Sequence, residues 1–285
     1  MTDKKPFSSP AGPGVVTDNP WRRLRAFTDA RIALGRAGVS LPTAELLAFQ
    51  LDHARAQDAV HLPLDVAALG QQLSEARVRP EFRSPLVLHS QAVDRMTYLQ
   101  RPDLGRRLDE ASRQRLLEQR RDRPVDQPHD LAVVIVDGLS SRAIQDNALP
   151  LLQVLSRYLD DDTQCWRLAP LTLVEQGRVA IGDEVGEQHN ANAVLVMVGE
   201  RPGLSSPDSL GLYLTWGPRV GLTDANRNCI SNVRPAGLKP ADAGQRLMYL
   251  LTESRRRKLS GVQLKDRTDD NIIEGPQESP NFLLN

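Results

Sequence analysis

The sequence has few aromatic residues, few cysteines and no excess charge of either sign. Phe, Trp and Tyr make up 4% of its 285 residues, too few for the stacking surface of a single-strand nucleic-acid binder. Lys plus Arg number 36, as do Asp plus Glu, so no net charge would attract nucleic acid or an anionic membrane. Two cysteines do not make a disulfide framework for a chain of this length. We therefore expect a protein of the reducing cytoplasm that binds neither nucleic acid nor membrane.

The chain also lacks long apolar segments. No run approaches the roughly 18 apolar residues of a membrane-spanning helix, and residues 1–20 have no apolar core of signal-peptide length. Those residues combine prolines, glycines and small polar residues, which predicts a flexible arm. We expect a protein that is not exported and that has a core sufficient for one or two domains.

The first half of the chain after the arm shows helical patterns. PTAELLAFQLDHARAQDAV (42–60) has apolar residues near helical spacing and begins after the start signal at Ser40. The composition changes at PVDQPHD (124–130), where two prolines separate a charged helix from an apolar run. We predict a helical domain over residues 21–127.

The second half alternates strand and helix patterns. LAVVIVDG (131–138) and AVLVMVG (193–199) are short runs rich in β-branched residues, typical of strands buried on both faces. A helical segment follows the first strand, with Ser140 or Ser141 as candidate N-cap, and a short helical segment precedes the second strand. The predicted fold class is α/β, with a Rossmann-like parallel sheet and covering helices over residues 128–266. Residues 267–285 are predicted to be a loose tail.

Two glycine-containing loops follow these strands. Asp137-Gly138-Leu139-Ser140 and Gly199-Glu200-Arg201-Pro202-Gly203 both come directly after a strand. Ligands of open parallel sheets bind outside the carboxyl ends of the strands, so both loops are candidate rims of one crevice. The alternative, that they only turn the chain and cap the next helix, is equally compatible with the spacing.

Several well-known catalytic motifs are absent from the sequence. No GxGxxG, GxxxxGK[ST], HExxH or GxSxG segment is present, so dinucleotide binding, P-loop chemistry, a zinc protease and a serine hydrolase have no support. Cys229 lies in TDANRNCISNVRPAG (223–237), a polar segment predicted to be a loop. Its thiol has two open interpretations, a reactive thiolate or, more commonly, a small buried filler.

Taken together, seven segments resemble the small subunit of ethanolamine ammonia-lyase, an adenosylcobalamin-dependent enzyme. The resemblance covers most of residues 21–266, and its most specific part is the string GERPGLSSPDSLG. The segments are RIALGRAGVSLPTAELLAFQLDHARAQDAV (31–60), RPDLGRRL (101–108), VVIVDGLSS (133–141), GRVAIGDEVGE (177–187), VGERPGLSSPDSLGLYLTW (198–216), TDANRNCISNVRPAG (223–237) and RRRKLSGVQLKD (255–266).

This resemblance implies a division of labour between two chains. A large subunit with a TIM-type barrel holds ethanolamine, while the small subunit covers the other side of the cobalamin in a hetero-oligomer. Val179, Glu200 and Cys229 match the cofactor-contacting positions of the family, and Arg178 and Arg201 stand beside them as groups that could orient its polar substituents. No catalytic residue and no metal ligand is expected in this chain.

The chemistry that the resemblance implies is the radical conversion of ethanolamine to acetaldehyde and ammonia. No DxHxxG segment is present, so we expect the cofactor's own base to stay on cobalt. Whether the arm directs the protein to a bacterial microcompartment is left open by the sequence. Two other classes also stay open: a stand-alone α/β enzyme with an untypical site, and a non-catalytic interaction module of a larger enzyme.

Overall fold

The computed structural model describes residues 15–121 and 127–268. Residues 1–14 of the predicted arm, residues 124–126 of the predicted domain boundary and residues 269–285 of the predicted tail lie outside this range. The described chain divides into two compact units. The first contains the residues up to Gln57 together with Gly203–Ser206, and the second contains the remainder. The domain division derived from the sequence stays a prediction.

The first unit consists of a short strand pair, a 3-10 turn and most of one helix. Two ion pairs within this unit join its N-terminal segment to the helix, Arg25 to Glu45 at 2.8 Å and Arg31 to Asp52 at 2.5 Å. The elements are β1 (Val16–Thr17) antiparallel to β2 (Arg36–Ala37), the turn Pro20–Ala26, and α1 (Thr43–His61), which ends in the second unit.

The second unit contains a six-stranded sheet. The strands lie in the order β3-β5-β4-β6-β7-β8. The elements are α2 (Val66–Glu75), β3 (Leu86–His89), α3 (Arg95–Gln100), α4 (Glu110–Arg121), β4 (His129–Val136), α5 (Ser141–Asp161), β5 (Thr172–Glu175), α6 (Ile181–Gln188), β6 (Ala191–Gly199), β7 (Leu210–Trp216), β8 (Arg227–Val233) and α7 (Pro240–Arg257).

The α/β fold class predicted from the sequence is confirmed, with a sheet that is mixed and mostly parallel. Strands β3, β5, β4 and β6 pair in parallel, whereas β7 runs antiparallel to both β6 and β8. The connection from β6 to β7, residues 200–209, is shorter than the crossover that a parallel neighbour requires. Two strands of this six-stranded sheet were not predicted: β3, within the segment predicted to be helical, and β8, predicted to be a loop.

Helices cover both faces of the sheet. On one face α5 and α7 pack against the sheet and against each other, and on the other face α6 packs against β6 and β4. Alternate residues of β4 enter the two cores, as Ile135 joins the α5 side and Val134 joins the α6 side. The predicted burial of β4 and β6 on both faces is therefore confirmed. The predicted N-cap is also present, since Ser140 Oγ accepts a hydrogen bond from Ala143 N at 3.1 Å.

Among residues 15–121 and 127–268, no helix is long and apolar enough to cross a membrane.

Candidate functional site

The carboxyl ends of three parallel strands are tied together by hydrogen bonds. The Asp137 carboxylate, at the end of β4, accepts from Gln176 N at 3.0 Å and from Gly177 N at 3.1 Å, both at the end of β5. On the other side, Leu139 N donates to Gly199 O, the last residue of β6, at 2.9 Å. The loops after β4, β5 and β6 therefore form one continuous edge.

Gly138 and Gly199 make the close approach of the first and third loops possible. Gly138 has a φ of +62°, and a Cβ there would lie 2.5 Å from Val198 Cγ2 and even closer to Gly199 O. A Cβ on Gly199 would lie 2.6 Å from Asp137 O and would also collide with Ser140 O. Only glycine fits at these two positions without movement of the backbone.

An open cleft of about 390 Å³ lies over this edge, and we call it the Glu200 cleft. It brings together both loops that the sequence predicted as rims of a crevice. Its lining combines apolar and aromatic side chains with three charged ones, namely Tyr98, Leu139, Val198 and Tyr213 with Arg178, Glu200 and Arg201.

Three hydrogen bonds fix the Glu200 carboxylate. It accepts from the hydroxyl of Ser209, from Ser231 Oγ at 2.6 Å and from Asn232 N at 3.2 Å. The Glu200 backbone N also donates to Ser209 O at 2.9 Å. A carboxylate offers about four acceptor positions, so this side chain is held rigidly and keeps capacity for about one more donor.

Arg178 is fixed against an aromatic ring. Its guanidinium lies 4.5 Å from the Tyr98 ring centroid and donates from Nη2 to Tyr98 O at 3.1 Å. Arg95 also lies over this ring, 4.7 Å from its centroid. Burial raises the pKa of Tyr98 to about 12, which keeps its hydroxyl neutral. The arrangement sets the direction of the Arg178 side chain before any ligand binds.

Beneath the cleft, Asp137 is almost completely buried beside Arg95. Arg95 Nη1 lies 3.7 Å from the Asp137 carboxylate and donates to Gly138 O at 2.7 Å. Burial raises the pKa of Asp137 to about 6, against the opposing effect of its backbone hydrogen bonds and of Arg95. This carboxylate serves to hold the strand ends together and has almost no contact with solvent.

A second cleft of about 340 Å³ adjoins the start of α6, and we call it the Val179 cleft. Arg178 lines both clefts. Val179 is half-buried and packs on the core of the α6 side. The other residues that line this cleft are Arg106, Ala180, Leu222, Thr223, Asp224 and Arg227.

The structure corrects the predicted placement of Cys229. This residue lies in strand β8 opposite Tyr213, a residue of the Glu200 cleft, and not in a loop. β8 has one neighbouring strand and a polar exposed face, so its sequence lacks the apolar alternation of a core strand. The thiol is exposed, hence it is not a buried filler. Partial desolvation and the charge of Glu200 raise the pKa of Cys229, which disfavours a reactive thiolate.

Of the residues named from the sequence, Arg178, Glu200 and Arg201 line one cleft and Val179 lines the next. Their role toward a cofactor stays a prediction. The sequence analysis missed other lining residues, because nothing in their local sequence distinguishes them from core or surface positions. These are Tyr98, Arg106 and Tyr213. Within the described residues, no three His, Cys, Asp or Glu side chains come together as a metal-binding group.

Comparison with known proteins gives consistent results over nearly the full chain. Residues 18–265 match the family model described as ethanolamine ammonia-lyase light chain (EutC). The ethanolamine ammonia-lyase small subunit of Pseudomonas aeruginosa (strain UCBPP-PA14) is 55% identical over 275 residues, which are 95% of this chain and 97% of that protein. The protein of the same name from Azotobacter vinelandii is 53% identical over 285 residues, 100% of this chain and 99% of its own.

A third relative, the ethanolamine ammonia-lyase small subunit of Xanthomonas campestris pv. campestris, is 55% identical over 280 residues, 95% of this chain and 98% of that protein. These matches confirm the resemblance found in the sequence segments and the prediction of an ammonia-lyase subunit. The chain belongs to the ethanolamine ammonia-lyase light-chain family.

Proposed function

We propose that this chain completes an adenosylcobalamin site at an interface with a large barrel subunit, in a hetero-oligomer that converts ethanolamine to acetaldehyde and ammonia. The observation that carries the proposal is the Glu200 cleft. The lining of this cleft combines apolar walls with three charged groups, and it lies at the carboxyl ends of parallel strands, where ligands of such sheets bind. The chain also belongs to a family of ammonia-lyase light chains.

The residues of the cleft fit a corrinoid. Such a cofactor has an apolar ring face and a fringe of amides that both donate and accept hydrogen bonds. Leu139 and Tyr213 offer apolar surface, while the fixed carboxylate of Glu200 offers an acceptor. Protein pockets that enclose drug-sized ligands have volumes of roughly 300–1,000 Å³. Two open clefts of about 390 and 340 Å³ can therefore cover only one side of the larger cofactor, and a second chain would cover the other.

Each predicted contact residue has a distinct role in this proposal. Val179 supplies apolar contact beside the second cleft. Glu200 accepts a hydrogen bond from an amide N–H or a ribose hydroxyl with its remaining acceptor capacity. Cys229 contributes a neutral thiol beside Tyr213, its cross-strand neighbour. The ties among Asp137, Gly138 and Gly199 hold the wall in one shape, so that little ordering is required on binding.

When bound, adenosylcobalamin supplies radical chemistry through homolysis of its cobalt–carbon bond. The role of this chain is to bind the cofactor, to orient its peripheral amide groups and to exclude water from one side. It provides no catalytic residue and is inactive alone.

Exposed apolar side chains of the first unit support contact with the large subunit. The side chains of Trp21 and Phe27 are 64% and 76% exposed, and Leu46, Leu47 and Leu51 are exposed on α1. Several large apolar side chains exposed on one small unit are typical of a protein interface. We propose that this unit binds the large chain.

The test is ammonia release from ethanolamine by the large subunit, with and without this chain, at varied adenosylcobalamin. Glu200→Ala should raise the apparent KM for the cofactor about tenfold, which corresponds to about 1.4 kcal/mol of lost binding. The matched control is Glu118→Ala, which changes an exposed glutamate of α4 and should leave KM unchanged. Activity should require both chains.

Three results would contradict the proposal, and each favours a different alternative. Activity of this chain alone would indicate a stand-alone enzyme. A requirement for both chains with an unchanged cofactor KM in Glu200→Ala would favour a non-catalytic interaction module. Full activity of the large chain alone would exclude any role in the cofactor site.

A further inference from the structure

The Val179 cleft contains an uncompensated positive charge. Of its three arginines, Arg227 is paired with the buried Asp183 at 2.6 Å and with Asp224 at 3.4 Å. Arg106 and Arg178 have no carboxylate within 4.0 Å among the residues that the structure describes. Three guanidinium groups therefore face two carboxylates, which leaves a net positive charge at this cleft.

The two arginines are brought together by the backbone. Arg106 ends the 3-10 turn Leu104–Arg106, and Gly105 O of this turn accepts a hydrogen bond from Arg178 N at 2.7 Å. Gly105 itself is packed tightly, since a Cβ there would lie 3.1 Å from both Tyr98 and Gln176. The turn that carries Arg106 is thus fixed to the loop that carries Arg178.

Arg178 is preorganised and only partly satisfied. Its stacking on Tyr98 and its hydrogen bond to Tyr98 O hold the guanidinium in place. Its Nε is buried without a hydrogen-bond partner in the described structure. A guanidinium that is already ordered loses little conformational entropy when it binds an anion.

The start of α6 adds an electrostatic potential that favours an anion, but it offers few free hydrogen-bond donors. The helix begins directly after Val179 and Ala180, which line the cleft, and the positive end of its dipole points there. Ile181 N and Gly182 N already donate to Arg178 O and Val179 O at 2.9 and 3.1 Å. The arginine side chains, and not these amides, must therefore supply the hydrogen bonds to a ligand.

We propose that Arg106 and Arg178 form an anion subsite that binds the phosphodiester of the cofactor's nucleotide loop. This inference rests on the proposed function. The amide fringe of a cobalamin is neutral, whereas the phosphodiester carries a permanent negative charge away from the cobalt. Guanidinium groups pair with phosphate oxygens through two parallel hydrogen bonds, which suits two arginines on one cleft wall.

The test compares three corrinoids that differ in the nucleotide loop: cobinamide, cobinamide phosphate and cobalamin. Their dissociation constants are measured spectrophotometrically with the complex of this chain and its large subunit, in buffer free of phosphate. The wild-type complex should bind cobinamide phosphate at least about tenfold more tightly than cobinamide, as expected for a charge-assisted hydrogen bond. Added inorganic phosphate should compete with cobinamide phosphate and leave cobinamide binding unchanged.

Two variants remove the guanidinium groups singly. Arg178→Gln and Arg106→Gln should each lower the phosphate advantage by about fivefold or more. Arg106 does not line the Glu200 cleft, so Arg106→Gln should not alter cobinamide affinity more than twofold. Arg106 is exposed and has no side-chain hydrogen bond in the described structure, so its substitution should not disturb folding. The control is Arg83→Gln. Arg83 is an exposed arginine that precedes β3, so it lies at the amino ends of the parallel strands, away from the clefts at their carboxyl ends.

The results separate the inference from the proposed function. If both variants keep the full advantage of cobinamide phosphate, or weaken all three corrinoids equally, the phosphate subsite is wrong and the cofactor site stands. If the wild-type complex binds none of the corrinoids, the proposed function fails and the subsite fails with it.

Discussion

Substitution of Gly138 by alanine should destabilise the strand-end edge on which the Glu200 cleft is built. A non-glycine residue at φ +62° costs roughly 1–2 kcal/mol. The new Cβ would also lie 2.5 Å from Val198 Cγ2 and collide with Gly199 O, and such overpacking costs about 1–3 kcal/mol. We expect the free energy of unfolding to fall by about 2–5 kcal/mol in Gly138→Ala.

The matched control is Gly70→Ala, within α2. No atom lies within 4 Å of a Cβ built at Gly70, and alanine in a helix interior is favoured over glycine by about 0.5–1 kcal/mol. This variant should therefore be slightly more stable than wild type. Urea unfolding followed by circular dichroism at 222 nm measures both changes. The expected loss in the free energy of unfolding of Gly138→Ala is roughly 2–5 kcal/mol. A loss of less than about 0.5 kcal/mol would refute the argument that the two loops need glycine for their close contact.

Two further predictions concern buried charges. Asp137 has a pKa of about 6 in the folded chain against an ordinary value of 3.8, so its contribution to stability is complete below about pH 4 and is lost as the pH rises through 6. Wild type should lose about 3 kcal/mol relative to Asp137→Asn between about pH 3 and pH 7, and a difference independent of pH would contradict the assigned pKa. Arg227→Met leaves Asp183 buried without its 2.6 Å partner and should cost about 3–5 kcal/mol in urea unfolding. The double variant Arg227→Met/Asp183→Leu should recover part of this loss, and equal stability of the single variant and wild type would show that the pair is dispensable.

The elements that the sequence predicted well are those with a strong local pattern. The strand β4 is a run of apolar residues that alternate between two cores, and its burial on both faces requires no information from distant residues. The cap at Ser140 is equally local, because its acceptor and donor lie three residues apart. The strands β3 and β8 were not predicted, because they are the two outer strands of the sheet. An outer strand pairs with one neighbour only, which imposes a weaker pattern of apolar residues on its sequence.

The candidate site was predictable only in part. The loops after β4 and β6 could be placed at one edge, since parallel strands end on the same side of a sheet. The positions Val179, Glu200 and Cys229 came from resemblance to a family, not from local chemistry. Tyr98 and Arg106 could not be singled out, because their importance derives from Arg178, more than 70 residues away along the chain. Tyr98 contacts Arg178 directly, and Arg106 follows Gly105, which accepts a hydrogen bond from Arg178 N.

The amino-acid sequence by itself determined the family, the α/β class and the two glycine loops, because these depend on short motifs and on the period of apolar residues. Only the tertiary structure decided that Arg178 stacks on Tyr98, that Ser231 fixes Glu200 and that Arg227 pairs with Asp183. Each of these contacts joins residues on different elements. Their geometry depends on sheet order and helix packing, which no local pattern specifies.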